Sequence, residues 1–323
     1  MGSTAMNTPL KLGLFGLGLV AVFAASFGAG HLARPAASST APAGADHSGS
    51  AHGGATAPAG VPAEVPGGLQ IVQDGYRLQP LTTALPTGST GALRFSVLGP
   101  DGRPVTAYTP THDKDLHLIV VRRDLTGFQH VHPTLGPDGV WETDLRVPAA
   151  GQYRLFADFQ PAGRDQPLTL GADLPAAGDY QPRPLPPVAR AATVDGYTVT
   201  LDGDLVPGTS SQLTLTVAKD GAPVTDLQPY LAAYGHLVAL RDGDLAYLHV
   251  HPDGEPGDGR TAAGPRIVFH AEVPSAGAYR LFLDFQHGGV VRTAAFTAVA
   301  GPATAPAAPA PAPSPSHAHS GGH

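Results

Sequence analysis

The sequence predicts an all-β chain: two tandem Ig-like β-sandwich domains after an N-terminal transmembrane or signal segment, with disordered linkers. Four observations carry that expectation. Of 323 residues, 41 are glycine and 34 proline, 14% are charged and 42% are hydrophobic, a composition of turn-rich β structure. Short alternating runs, such as Leu93 to Val97 and Leu213 to Val217, each lead to an Asp-Gly turn followed by a proline and a valine. Long amphipathic helical periods are missing, and one histidine pattern occurs twice at unchanged spacing.

Residues 1–34 read as a membrane-targeting segment. From Leu12 to Gly30 no charged residue appears, with Lys11 before and Arg34 after. That run approaches the ~20 residues a helix needs to cross a bilayer. It is expected to stay as a single-span helix, with the domains outside the cytoplasm at the cell membrane. The small residues Ala24, Ala25 and Ser26 also offer a signal-peptidase site, and cleavage there would make the protein secreted. Residues 35–67 form an Ala/Pro/Gly/Ser spacer holding His47 and His52, too poor in apolar side chains to fold.

Residues 68–175 and 190–300 are the two repeats, each of ordinary domain size. Between them, residues 176–189 form a proline-rich linker expected to be extended. The tail, 301–323, is a Pro/Ala tether ending in His317, His319 and His323.

The repeats share much more than histidines. Asp74-Gly75-Tyr76 matches Asp195-Gly196-Tyr197, and VPAAGQYRLFADFQ, from Val147, matches VPSAGAYRLFLDFQ, from Val273. LHLIVVRRDLTGFQHVHP, ending at Pro133, matches GHLVALRDGDLAYLHVHP, ending at Pro252. A Gly-rich insertion near Glu255 to Arg260 distinguishes the second copy. Seven or so short strands per copy, with turn signals every 8 to 12 residues, fit an Ig-like sandwich.

Composition also excludes functions. Net charge is −7 without a Lys/Arg cluster, so nucleic acid is not an expected partner. Cysteine is absent, which removes disulfides, thiolate metal sites and cysteine nucleophiles. The two methionines, Met1 and Met6, lie outside the repeats, so thioether coordination of Cu(I) is excluded there.

What remains are the histidines. His130 follows His117 by thirteen positions and His249 follows His236 by thirteen; His132-Pro133 and His251-Pro252 complete the two patterns. A hairpin centred between Asp124 and Leu125 would set His117 opposite His132, and the period-two alternation of a strand puts His130 on the same face. The same centring sets His236 opposite His251. A one-residue slip would move His117 to the other face.

Three imidazoles on one face suit Cu(II) or Zn(II), with a coordination position left open. Asp158 and Asp284, at matching places in the repeats, are candidates for a carboxylate ligand or for a carboxylate that orients a ligating ring. The candidate metal residues are therefore His117, His130, His132 and Asp158, and His236, His249, His251 and Asp284. His112 has Leu231 as its counterpart, so any role it has is confined to the first copy, and His270 and His287, which match Asp144 and Pro161, read as solvated histidines.

With its anchor, its Ig-like modules and its paired HVHP hairpins, the chain resembles uncharacterised exported bacterial proteins found in metal-handling contexts. The modules are similar in architecture to the copper-resistance (CopC-like) and YtkA-like β-sandwiches, over roughly Leu69 to Val299. The resemblance implies extracytoplasmic metal binding. It does not carry that family's ligands over, because the CopC pattern uses an amino-terminal histidine and cleavage before Phe27 would expose none.

The sequence thus points to a membrane-anchored extracytoplasmic protein that binds Cu(II) or Zn(II) for sequestration, delivery or resistance. The alternative is a structural or adhesive tandem Ig-like surface protein without metal. An enzyme ranks last: no G-x-S-x-G elbow, HExxH helix or phosphate loop appears, and no catalytic residue is nominated.

Overall fold

The computed structural model describes residues 65–248 and 250–301. The expected anchor, nearly all of the spacer, the C-terminal tail and His249 lie outside the described residues, and the side chain of His251 is likewise not described. Among the described residues no helix occurs, and so none long and apolar enough to cross a membrane.

Repeat 1 is built from β1 (Val72–Gln73), β2 (Tyr76–Pro80), β3 (Thr90–Leu98), β4 (Leu116–Arg122), β5 (Gln129–Val131), β6 (Thr134–Leu135), β7 (Val140–Arg146), β8 (Gly151–Phe159) and β9 (Leu168–Ala176). One sheet runs β1-β2-β3-β7-β6 and the other β5-β4-β8-β9, antiparallel throughout.

Repeat 2 uses β10 (Ala191–Val194), β11 (Tyr197–Asp202), β12 (Ser210–Lys219), β13 (Ala222–Pro223), β14 (His236–Arg241), β15 (Tyr247–Leu248), β16 (Val250–Pro252), β17 (Arg266–Glu272), β18 (Gly277–His287) and β19 (Val290–Ala300). Its sheets run β10-β11-β12-β17-β16 and β15-β14-β18-β19, with β13 on β12. The Asp-Gly pairs 74–75 and 195–196, all four residues at positive φ, make the tight turns that join β1 to β2 and β10 to β11.

Each repeat buries a core between its two sheets. Leu93, Phe95, Leu118, Val120, Trp141 and Leu155 meet in repeat 1, and Leu213, Leu215, Leu237, Phe269, Leu281 and Phe285 in repeat 2. The alternate residues of the same strands do not face water. Ile119 and Val121 of β4, Phe156 of β8, Val238 and Leu240 of β14 and Phe282 of β18 form a third buried cluster, joined by Leu125, Leu245 and Tyr247. The two four-stranded sheets therefore pack on each other, and the repeats share a seam.

The seam repeats its contacts under exchange of the two halves. Phe128 of repeat 1 stacks on Phe282 of repeat 2, with centroids 4.0 Å apart, and Tyr247 of repeat 2 lies on Phe156 of repeat 1 at 5.6 Å. Such a two-fold arrangement is what a duplicated module produces when like faces meet. The chain entering repeat 1 crosses the seam: Tyr247 N–H donates to Gly67 O, and the guanidinium of Arg154 donates to Gly68 O. Gly68 sits at φ +72, where a Cβ would lie 2.3 Å from the Phe156 ring, so only glycine fits there.

Residues 177–190 hold no strand. They are nevertheless tied to repeat 1: Arg183 N–H donates to the Asp124 carboxylate, the Tyr180 ring lies under the Arg122 guanidinium, and Leu185 packs on the seam cluster.

Candidate metal centre

The β4·β5 register pairs Leu118 with Val131 and Ile119 with His130, and so continues to His117 against His132. His117 and His130 share the parity of Ile119 and Val121, which is the seam face of the sheet. The three rings converge there, with one ligand nitrogen of each within 4.8 Å of the others. His117 Nδ1 lies 3.1 Å from His130 Nε2 and 3.2 Å from His132 Nε2. Nitrogens bound tetrahedrally at about 2.0–2.1 Å stand about 3.3–3.4 Å apart, so the cluster is close to the size an ion requires.

Hydrogen bonds behind two of the rings fix which nitrogens face inward as lone pairs. His117 Nε2 is 2.8 Å from the carbonyl oxygen of Thr111, which only accepts, so Nε2 carries the proton and Nδ1 does not. His130 Nδ1 donates to Asp284 Oδ2 at 2.9 Å, leaving Nε2 unprotonated in the neutral ring. Two lone pairs are thus held 3.1 Å apart, an arrangement that a cation between them relieves. Burial pushes His117 down to about 4 against the opposing pull of its Thr111 bond, and burial pushes His132 down to about 3, so neither of these two rings holds a second proton at neutral pH.

The carboxylate that orients His130 belongs to the other repeat. Asp284 is buried and accepts from Thr293 Oγ1 as well. The sequence reading gave each repeat a self-contained ligand set; Asp284 instead serves the histidines of repeat 1. The cause is the two-sided burial of β4, β8, β14 and β18, which makes the histidine face an inter-repeat face. Asp158, the counterpart of Asp284, accepts from Thr169 Oγ1 and from Tyr247 Oη across the seam. Burial, followed by the charge of Asp158, raises Tyr247 well above the ordinary tyrosine range, which keeps it a donor.

In repeat 2, His236 repeats the His117 device: its Nε2 donates to Tyr230 O at 2.8 Å, again six residues upstream, and its strand pairs it with Asp284 as His117 is paired with Asp158. Burial pushes His236 down to about 4, partly offset by that bond. His251 sits on β16, which pairs with β17 in the other sheet, where it faces His270 in the ladder.

The sequence missed three contributors. His112 packs its ring 6.0 Å from that of His117 and 5.3 Å from that of His236. The carbonyls of Thr111 and Tyr230 set the tautomers, and their shared offset from His117 and His236 was the available signal. His130 and His236 lie 6.2 Å apart between ring centres, so His236 adjoins the histidines of repeat 1. A cavity of about 40 Å³ lies there, lined by His112, His117, His130 and Asp158 of repeat 1 and by His236 and Tyr247 of repeat 2. It has room for a water or an ion, but not for an organic substrate. His287 stands apart: it accepts from Tyr197 Oη and donates to Asp226.

Fold and site together define a class: a tandem all-β sandwich protein with a histidine cluster at the seam of its repeats. The chain belongs to the family described as a domain of unknown function, DUF8832, whose model matches residues 70–176 and 192–301. The matching model is that one rather than a copper-resistance or YtkA-like model. No curated protein matches the chain.

Solved structures match the chain only weakly. The Escherichia coli adhesin FdeC is 14% identical over 69% of this chain and 64% of its own, with a TM-score of 0.22. Invasin, a bacterial integrin-binding protein, is 12% identical over 69% of this chain and 39% of its own, at 0.20. The D0-D1 domain of intimin is 10% identical over 68% of this chain and 96% of its own, at 0.20. The chain spans less than two thirds of the first two of these, and TM-scores so low transfer no property to it.

Proposed function

We propose that this protein binds a divalent transition metal, Cu(II) or Zn(II), at the seam between its repeats, outside the cytoplasm and tethered by its N-terminal segment. One observation carries the reading: Thr111 O and Asp284 hold His117 and His130 in tautomers whose inward lone pairs face each other at 3.1 Å. His132 supplies the third nitrogen. An all-imidazole set without sulfur suits Cu(II) or Zn(II) better than Cu(I). His236, with His249 and His251 at the same sequence spacing, is proposed as a second ligand set, with Asp158 as its orienting carboxylate. The leader-like residues 12–30 support export.

The test is metal content and calorimetric titration of the chain after replacing the six histidines outside residues 65–301 with serine. Binding at micromolar metal is expected, with one set lost in His130→Ala/His132→Ala. No uptake of either metal would leave the second reading, a structural or adhesive tandem module without metal. That reading is favoured by the apolar seam cluster, which by itself packs the repeats together.

A further inference from the structure

His112 is placed where no histidine of the repeated pattern stands. It lines the small cavity of about 40 Å³ and also a wider cleft of about 440 Å³, whose wall includes Asp113, Ala232 and Glu255. The residue thus borders both spaces. Its position is built, not accidental. His112 and Asp113 both hold positive φ, at 49° and 62°, in a turn closed by paired hydrogen bonds between Thr111 and Lys114. Thr111 O is the same carbonyl that fixes His117. The second copy keeps the turn, with Leu231 and Ala232 at 52° and 59°, but puts leucine where His112 stands.

An ion in water carries a shell of waters, most of which it must give up to be held by three imidazoles. A ligand at the cleft that replaces a water on the way in lowers that barrier. Two carboxylates in the cleft wall, Asp113 and Glu255, give the mouth the charge that draws a cation in. Resting on the metal reading above, we propose that His112 is the transit ligand through which a divalent metal ion passes from the acidic cleft to the buried histidine cluster.

The probe is Cu(II) itself, mixed rapidly with the full chain lacking its six outer histidines, and withdrawn by a chelator in a second mixing. His112→Leu, the residue the second copy carries at the same φ, is expected to slow loading and withdrawal by about tenfold or more. The number of ions held at equilibrium should not change. Asp113→Asn with Glu255→Gln should slow loading and flatten its dependence on ionic strength. Unchanged rates in His112→Leu, or in His112→Gln should the leucine variant misfold, would overturn the proposal. So would a lost ion, because His112 would then be a permanent ligand. A parent that binds no Cu(II) at equilibrium would fail the metal reading first, and is told apart from these by stoichiometry alone.

Discussion

A neutral imidazole has one proton and two nitrogens, so whatever takes the proton decides what the other nitrogen can do. At His117 and His130 the proton is spent on Thr111 O and on Asp284, and both remaining lone pairs turn inward. Asp284→Ala should therefore weaken metal binding by about 10–100-fold while every ligand remains, as loss of an orienting partner does elsewhere. Calorimetry on the variant checks this, and full affinity would remove Asp284 from the site. A second expectation concerns protons. His117 and His236 sit near 4 in the folded chain and about 6.5 unfolded, so the unfolded state binds more protons between those values. Stability of the metal-free protein should then be full above about 6.5, fall as pH drops toward 4, and stop falling from this cause below it. Thermal unfolding in chelator across that window reads it, and a flat profile would contradict the buried neutral rings.

At the scale of elements, the hairpin was legible and the seam was not. Alternation, the HVHP motif and a polar turn suffice to set His117 against His132, because register follows from the turn and from which face is buried. The crossing of Asp284 to His130 needs the two sheets to meet, and no local pattern says which strands meet. A signal was nonetheless present: β4 reads LHLIVVR and is buried at every position, the mark of a strand covered on both faces rather than one. His112 was passed over for a related reason, since it has no counterpart in the second copy and only the folded turn carries it to His236. The hairpin tip also carries its own test. Arg122 is 3% exposed and forms a pair with Asp124, which in turn accepts Arg183 N–H from the linker. Burial would raise Asp124, but the bonds from Arg122, Thr126 and Arg183 outweigh it and hold the carboxyl down to about 2. Asp124→Ala strands a buried guanidinium and should cost roughly 3–5 kcal/mol in chemical denaturation. A loss under about 1 kcal/mol would show the pair to be no more than a surface ion pair in effect.

For the whole molecule, duplication means that repeat 2 does for repeat 1 what a second copy of repeat 1 would do. Ile119, Val121, Leu125 and Phe156 are covered by the matching face of repeat 2, and Val238, Leu240, Leu245 and Phe282 are that face. Expressed alone, residues 65–186 would expose this patch, together with His117, His130 and His132 and without Asp284 to orient them. Like faces related by a two-fold axis close into dimers, and Asp158 stands on β8 where Asp284 stands on β18, each paired in its ladder with the first histidine of its repeat. The isolated repeat is thus expected to dimerise through its seam face, with Asp158 of each copy taking the part of Asp284 toward His130 of the other. Light scattering should then give twice the monomer mass, Phe156→Asp should return it to monomer, and metal affinity should fall in that monomer by about the same 10–100-fold expected for Asp284→Ala. A monomeric repeat 1 with the affinity of the whole chain would mean that the seam packs the repeats but does not build the site.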